Sequence, residues 1–161
     1  MSSANDSLKK ALPPIAGILL IVGAGGGYKG VLVDTGVGDI IGDFVRSSSI
    51  SVLLLAWLIA AFVRIATGSA TVAIITTAGI LGPVMQSLNA SSAAVALMVL
   101  AIGAGSIFLS HVNDAGFWLI KEYFGLSVGE TFRTWSVLEC LLSVVVLALT
   151  LLTSIFVPMA G

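Results

Sequence analysis

The sequence predicts an all-α integral membrane protein of about five hydrophobic helical segments, with broken or re-entrant helices among them. Two observations predict it. Hydrophobic residues make up 58% of the chain and charged residues only 9%, with a mean hydropathy of +1.14. A soluble domain carries about 25% charged residues, so this chain lacks the polar side chains to cover itself in water. The charges are also unevenly placed. Residues 65–110 contain no Asp, Glu, Lys, Arg or His, which leaves room for two spans of about 20 residues each. The interior of a large soluble helical protein is excluded by the same counts, because so short a chain has no shell in which to bury them.

The polar residues 1–10 form an N-terminal tail, and residues 11–161 form the membrane domain. The first apolar segment, 12–33, opens on Pro13-Pro14, acceptable at a helix start because proline lacks only a donor unpaired there anyway. No small-residue cleavage site closes it, so it is expected to be retained rather than removed as a signal peptide. The run Gly23-Ala-Gly25-Gly26-Gly27 has spacings that let membrane helices approach closely; a broken span is the alternative. It is not a phosphate loop, since Lys29 is not followed by Ser or Thr and no strand precedes it.

Residues 34–49 place Ile40, Ile41, Phe44 and Val45 at helical spacing among Asp34, Asp39, Asp43 and Arg46, which predicts a short amphipathic interfacial helix. A second span covers 50–66, with Trp57 inside and Arg64 near its end. Small polar residues at 66–71 then separate it from a third, expected to stop or kink at Gly82-Pro83. A polar connection at 85–92 leads to a fourth span over 93–109. An interfacial helix and loop follow, and a last span occupies 137–157. Lys and Arg are too evenly spread for an orientation to be assigned.

Ionisable groups inside a membrane are costly and are functional or paired. His111, Asn113 and Asp114 follow directly on a long apolar run. If the helix continues, the spacing of three sets His111 and Asp114 on one face, where both side chains can carry protons. The plainer reading is a helix cap by Asn113 or Asp114. Gly68-Ser69-Ala70-Thr71 is the second candidate: a break there frees backbone amides and small hydroxyls to bind an anion. Arg64 either supplies the counter-charge for a carboxylate or snorkels to the headgroups. Glu139 is a minor proton-path candidate, with an interfacial position the leading expectation. No metal or other cofactor is implied: no second histidine or thiolate lies near His111, and Cys140 reads as an inert small hydrophobe. A net charge of -1 gives no footprint for nucleic acid.

The strings LLIVGAGGGYK at 19–29, VLVD at 31–34, LLAWLIA at 54–60, GSATVA at 68–73 and LAIGAG at 100–105 resemble the gluconate permease family of proton symporters. The most specific is SHVNDAGFWLIKEYFG at 110–125. The resemblance implies uptake of gluconate or a related small hydroxy acid with a proton, across a bacterial inner (plasma) membrane, by a multi-pass carrier that is not an enzyme. It also implies membership in an inverted-repeat superfamily of ion transporters with re-entrant hairpins. By this likeness Arg64, Gly68, Ser69, Thr71 and Asn113 are candidates for substrate binding, and His111 and Asp114 for proton coupling. The match corresponds to about the C-terminal third of the family's length. The expected partners are therefore the lipid bilayer, a small organic anion and a proton, together with the missing transporter portion or further copies of the chain. The alternatives are a non-transporting truncated remnant or accessory subunit that needs partner helices, and a membrane enzyme using His111 and Asp114, which would require a third group to orient the base.

Overall fold

The computed structural model describes residues 50–158 continuously, and before them only Asn5, Lys9, Gly23, Gly27, Val31, Asp34, Thr35, Asp43 and Ser47. The expectations for the tail, the first span, the glycine run and the amphipathic helix lie largely outside the described residues.

Among the described residues every regular element is helical. From residue 50 onward the order is α1 (Val52–Thr67), α2 (Ala70–Ser87), α3 (Ser92–Ser106) and α4 (Ala115–Phe124). A continuous run follows, made of α5 (Val128–Thr131), a π-helical turn (Phe132–Ser136) and α6 (Val137–Ser154). Among the described residues two stretches are long and apolar enough to cross a membrane: α2, and the run Val128–Ser154. At 1.5 Å per residue, α1 and α3 are only about 24 and 22 Å long, short of the ~30 Å hydrocarbon core. Both end inside the protein, at breaks that face each other.

Small residues bring α1 and α3 together. Ala56, Ala60, Ala94 and Ala101 are fully buried, and a Cβ on Gly105 would lie 2.5 Å from the Trp57 carbonyl oxygen and 2.8 Å from the Ala60 Cβ. Lacking a strong hydrophobic drive between helices in lipid, such close backbone contact supplies the van der Waals attraction that holds them. Leu53, Leu81, Val84, Met85, Leu97 and Ile102 fill the remaining core. α6 lies on α3 through Ser143, Leu147 and Thr150, all buried at helical spacing. Its other sides turn Leu141, Leu142, Val145, Leu149 and Leu152 outward, each about half exposed. Apolar area on that scale has no place against water, so this is a membrane-embedded surface.

Side-chain caps mark where α2, α3, α4 and α5 begin. Ser69, Ser91 and Asp114 accept hydrogen bonds from backbone amides of Val72, Ala94 and Gly116. Ser127 and Glu130 form a reciprocal capping box at α5. Gly68 and Gly125 end α1 and α4 with left-handed backbone, φ +70° and +63°, as glycine most readily does.

Two segment expectations need correction. α2 does not stop at Gly82-Pro83 but continues to Ser87, so Met85 to Ser87 are helical rather than connecting. Proline removes one helical donor, and the buried side of α2 at Pro83, Val84 and Met85 holds the helix together despite it. The last helical run starts at Val128 rather than near 137, because the capping box nucleates it earlier.

Candidate functional site

Two chain breaks meet around the buried Gly68 and Ser110, with Asn113 at the exposed edge. The first separates α1 from α2 at Gly68-Ser69; the second, residues 107–114, separates α3 from α4. They touch directly: a Cβ on Gly68 would strike the Asn113 backbone, at 2.7 Å from its carbonyl carbon, and Asn113 Nδ2 donates to the Ile65 carbonyl at 2.9 Å. Glycine at position 68 therefore meets two demands at once, a positive φ and the absence of a side chain.

Arg64 ties the junction. Only 4% exposed, it donates from Nη1 to the Gly68 carbonyl and from Nη2 to Asp114 Oδ2, each at 2.5 Å. It does not snorkel. Asp114 is also held by the Ser110 hydroxyl and, through Oδ1, by the Gly116 amide at 2.9 Å. It is thus a helix cap, as the plainer sequence expectation has it, and also the partner of a buried cation, a pairing the sequence did not suggest. Glu139 of α6 places Oε2 3.9 Å from Arg64 Nη2, with its side chain 13% exposed. Arg64 Nε is buried without a hydrogen-bond partner among the described residues.

A second shell of bonds fastens the π-turn to this cluster. Trp135 Nε1 donates to the Ser110 hydroxyl at 3.0 Å, and the Ser136 hydroxyl donates to the Ser110 carbonyl. Below them Trp57 Nε1 donates to Ser143 Oγ at 2.9 Å, and Ser143 donates to the Ala104 carbonyl at 2.5 Å. π-turns inside α-helices are frequent at functional sites, where the extra residue re-aims side chains. Here it accompanies two side chains that both reach Ser110.

The expected residues fall into three groups. Arg64, Gly68, Asn113 and Asp114 converge. Ser69 caps α2 beside them, and Thr71 is exposed in its first turn. His111 departs from expectation: the helix does not continue, so it shares no helical face with Asp114. Residues 111–114 form a turn, closed by the Asp114 amide on the His111 carbonyl at 2.8 Å, and the imidazole Nδ1 lies 2.9 Å from the Leu109 carbonyl oxygen. Sequence reasoning missed Ser110, Trp135 and Ser136, and undervalued Glu139. Glu139 had a signal, as the acidic residue at the mouth of a long apolar run.

A groove of about 480 Å³ lies elsewhere, between α2 and α3; Leu81, Met85, Val95, Met98 and Ile102 line it, with Gln86 and Asn89 at its polar side and no charged group. A site for a charged ligand needs convergent polar and charged groups, so the junction rather than the groove is the candidate. No group of three or more His, Cys, Asp or Glu side chains is gathered as for a metal among the described residues.

Exposed apolar helices around a buried charged junction define an integral membrane protein of the transport class. The chain belongs to the GntP family of permeases: the family model described as "GntP family permease" matches residues 1–156. It is 57% identical to a gluconate permease of Pseudomonas aeruginosa over 92% of this chain and 32% of that protein. It is 51% identical to the high-affinity gluconate transporter of Escherichia coli over 89% of this chain and 32% of the transporter. The Gnt-II system L-idonate transporter of Escherichia coli is 52% identical over 86% of this chain and 31% of its own length. The chain thus spans about a third of the length of the curated relatives it matches. No solved structure matches it. Membership of a permease family places it outside the enzymes.

Proposed function

We propose that this chain forms the C-terminal portion of a proton-coupled symporter for gluconate or a related small hydroxy acid in a bacterial inner membrane, as part of an inverted-repeat fold. The observation that carries the reading is the buried Arg64, which bridges two facing helix breaks and leaves its Nε–H without a partner among the described residues. A buried donor without a partner costs about 1–3 kcal/mol, so a carboxylate or hydroxyl arriving there gains what the empty site lacks. The substrate carboxylate lies by the start of α2, near Gly68, Ser69 and Thr71, where helix-start amides face an anion. Asn113 and Arg64 complete the polar wall. Asp114 takes part in coupling as the carboxylate that holds Arg64, and His111 lines the proton's route.

The second reading is a dependent subunit or non-transporting remnant that needs partner helices. Its support is the coverage, since the chain matches only 32% of the Pseudomonas permease. Alternating access requires one unit to move against another around the site.

Labelled-gluconate uptake into proteoliposomes, with and without an inward proton gradient, separates the two. Gradient-dependent uptake by this chain alone supports the first. Uptake that appears only after co-reconstitution with the N-terminal two-thirds of the Pseudomonas permease supports the second. No uptake in either preparation, from folded protein, rejects transport.

A further inference from the structure

Two carboxylates share one guanidinium in the interior, and they share it unequally. Asp114 accepts from Arg64 Nη2 at 2.5 Å, from Ser110 and from the Gly116 amide. Glu139 sits 3.9 Å from the same Nη2 and accepts no hydrogen bond among the described residues. Side-chain exposures are 5% for Arg64, 14% for Asp114 and 13% for Glu139.

We propose that Glu139 is the group that takes up and releases the coupled proton, with Asp114 as the fixed partner of Arg64. This rests on the transport reading above. With both carboxylates ionised the cluster carries a net negative charge; one proton makes it neutral, which a membrane interior favours strongly. Three donors favour the ionised form of Asp114, and Glu139 has none, so the proton goes to Glu139 Oε2.

The charged groups facing Glu139 among the described residues are Arg64 on α1 and Asp114 at the start of α4. α3, which packs against α6, contributes no ionisable side chain. The proton arrives from one aqueous side and leaves to the other, so nothing else is consumed. When it leaves, the ionised Glu139 competes with Asp114 for Arg64, and Arg64 is what ties the two breaks together. Proton occupancy therefore selects between two arrangements of the junction, the two-state element that coupling requires.

Two measurements on the reconstituted chain test the assignment, with the missing transporter portion supplied if uptake needs it. The first is infrared titration of the protonated-carboxyl band. Glu139→Gln removes the band, Glu139→Asp restores it at the shifted frequency of an aspartic acid carboxyl, and Asp114→Asn, which leaves Arg64 to Glu139 alone, moves its appearance to lower pH. A band that persists in Glu139→Gln overturns the assignment.

The second compares gluconate accumulation under a gradient of one pH unit with each protein's own counterflow rate. That gradient sustains up to about tenfold accumulation through a one-proton, one-anion symport. Glu139→Gln brings the ratio of accumulation to counterflow down by about that factor, and Glu139→Asp recovers it. A Glu139→Gln protein that accumulates like the parent also overturns the assignment. If the parent shows no counterflow, the transport reading falls separately. The infrared band then decides Glu139 alone: its loss in Glu139→Gln supports the proton assignment, its persistence overturns it.

Discussion

Arg64 keeps a permanent charge at a position only 4% exposed, and its neighbours explain how a membrane protein tolerates that. Two of its nitrogens are spent on Gly68 and Asp114. Removing one partner of a buried pair leaves an uncompensated charge and costs about 3–5 kcal/mol, whereas removing both is far cheaper. Asp114→Leu should therefore lower the unfolding midpoint in detergent sharply, and Arg64→Met combined with Asp114→Leu should recover much of the loss. Additive losses would mean that the pair contributes no coupling. Ser110 is the other residue with several duties, since it donates to Asp114 and accepts from Trp135. Ser110→Ala strands the indole N–H at a cost of about 1–3 kcal/mol. Thermal unfolding followed by tryptophan fluorescence should show both the loss and a changed Trp135 environment. None of these pairings was legible in the sequence. Arg64 and Asp114 are fifty positions apart, and Ser110 read as one small polar residue among many.

Among the elements, the breaks carry more information than the helices. Gly68→Ala meets both a positive φ and the Asn113 backbone, so it should cost more than the ~1 kcal/mol of an ordinary left-handed glycine and reduce the yield of folded protein. Gly125 has φ +63° with open space around it, and Gly125→Ala should cost about 1 kcal/mol. Comparing the midpoints of the two variants separates backbone strain from collision. The sequence did disclose the first break, because Gly68-Ser69 with a small polar flank interrupts an apolar pattern. It misled at Pro83, where local chemistry predicted a stop but burial of the surrounding turn carried the helix onward. It was silent on the π-turn, since an extra residue in a helical ladder leaves no mark in composition. The early start of the last helix was readable in principle from Ser127 and Glu130, the capping-box pair. Ser127→Ala should fray that end by about 1 kcal/mol, visible as faster amide exchange over Val128–Thr131.

At the scale of the whole molecule, the membrane class was written into the composition, because a chain with 9% charged residues cannot face water. Family membership followed from strings rather than periodicity, and SHVNDAGFWLIKEYFG holds the later part of the second break and all of α4. The three tryptophans report how the described part sits in lipid. Trp57 packs edge-on against Phe108 and bonds Ser143, whereas Trp118 is 42% exposed. In single-tryptophan variants, brominated acyl chains should quench Trp118 well and Trp57 poorly. Equal quenching would mean that α1 is not shielded by its neighbours.

The π-turn at Phe132–Ser136 also sets the phase of everything after it. Each residue of an α-helix advances the next side chain by about 100° around the axis. A one-residue deletion in that turn would smooth the ladder and rotate α6 by that amount. Glu139, Ser143 and Leu147 would swing away from Arg64 and α3, and the outward leucines would swing in. Substitution can alter one tooth of this gear; deletion slips the whole wheel. The segment should accept many changes of side chain and almost none of length.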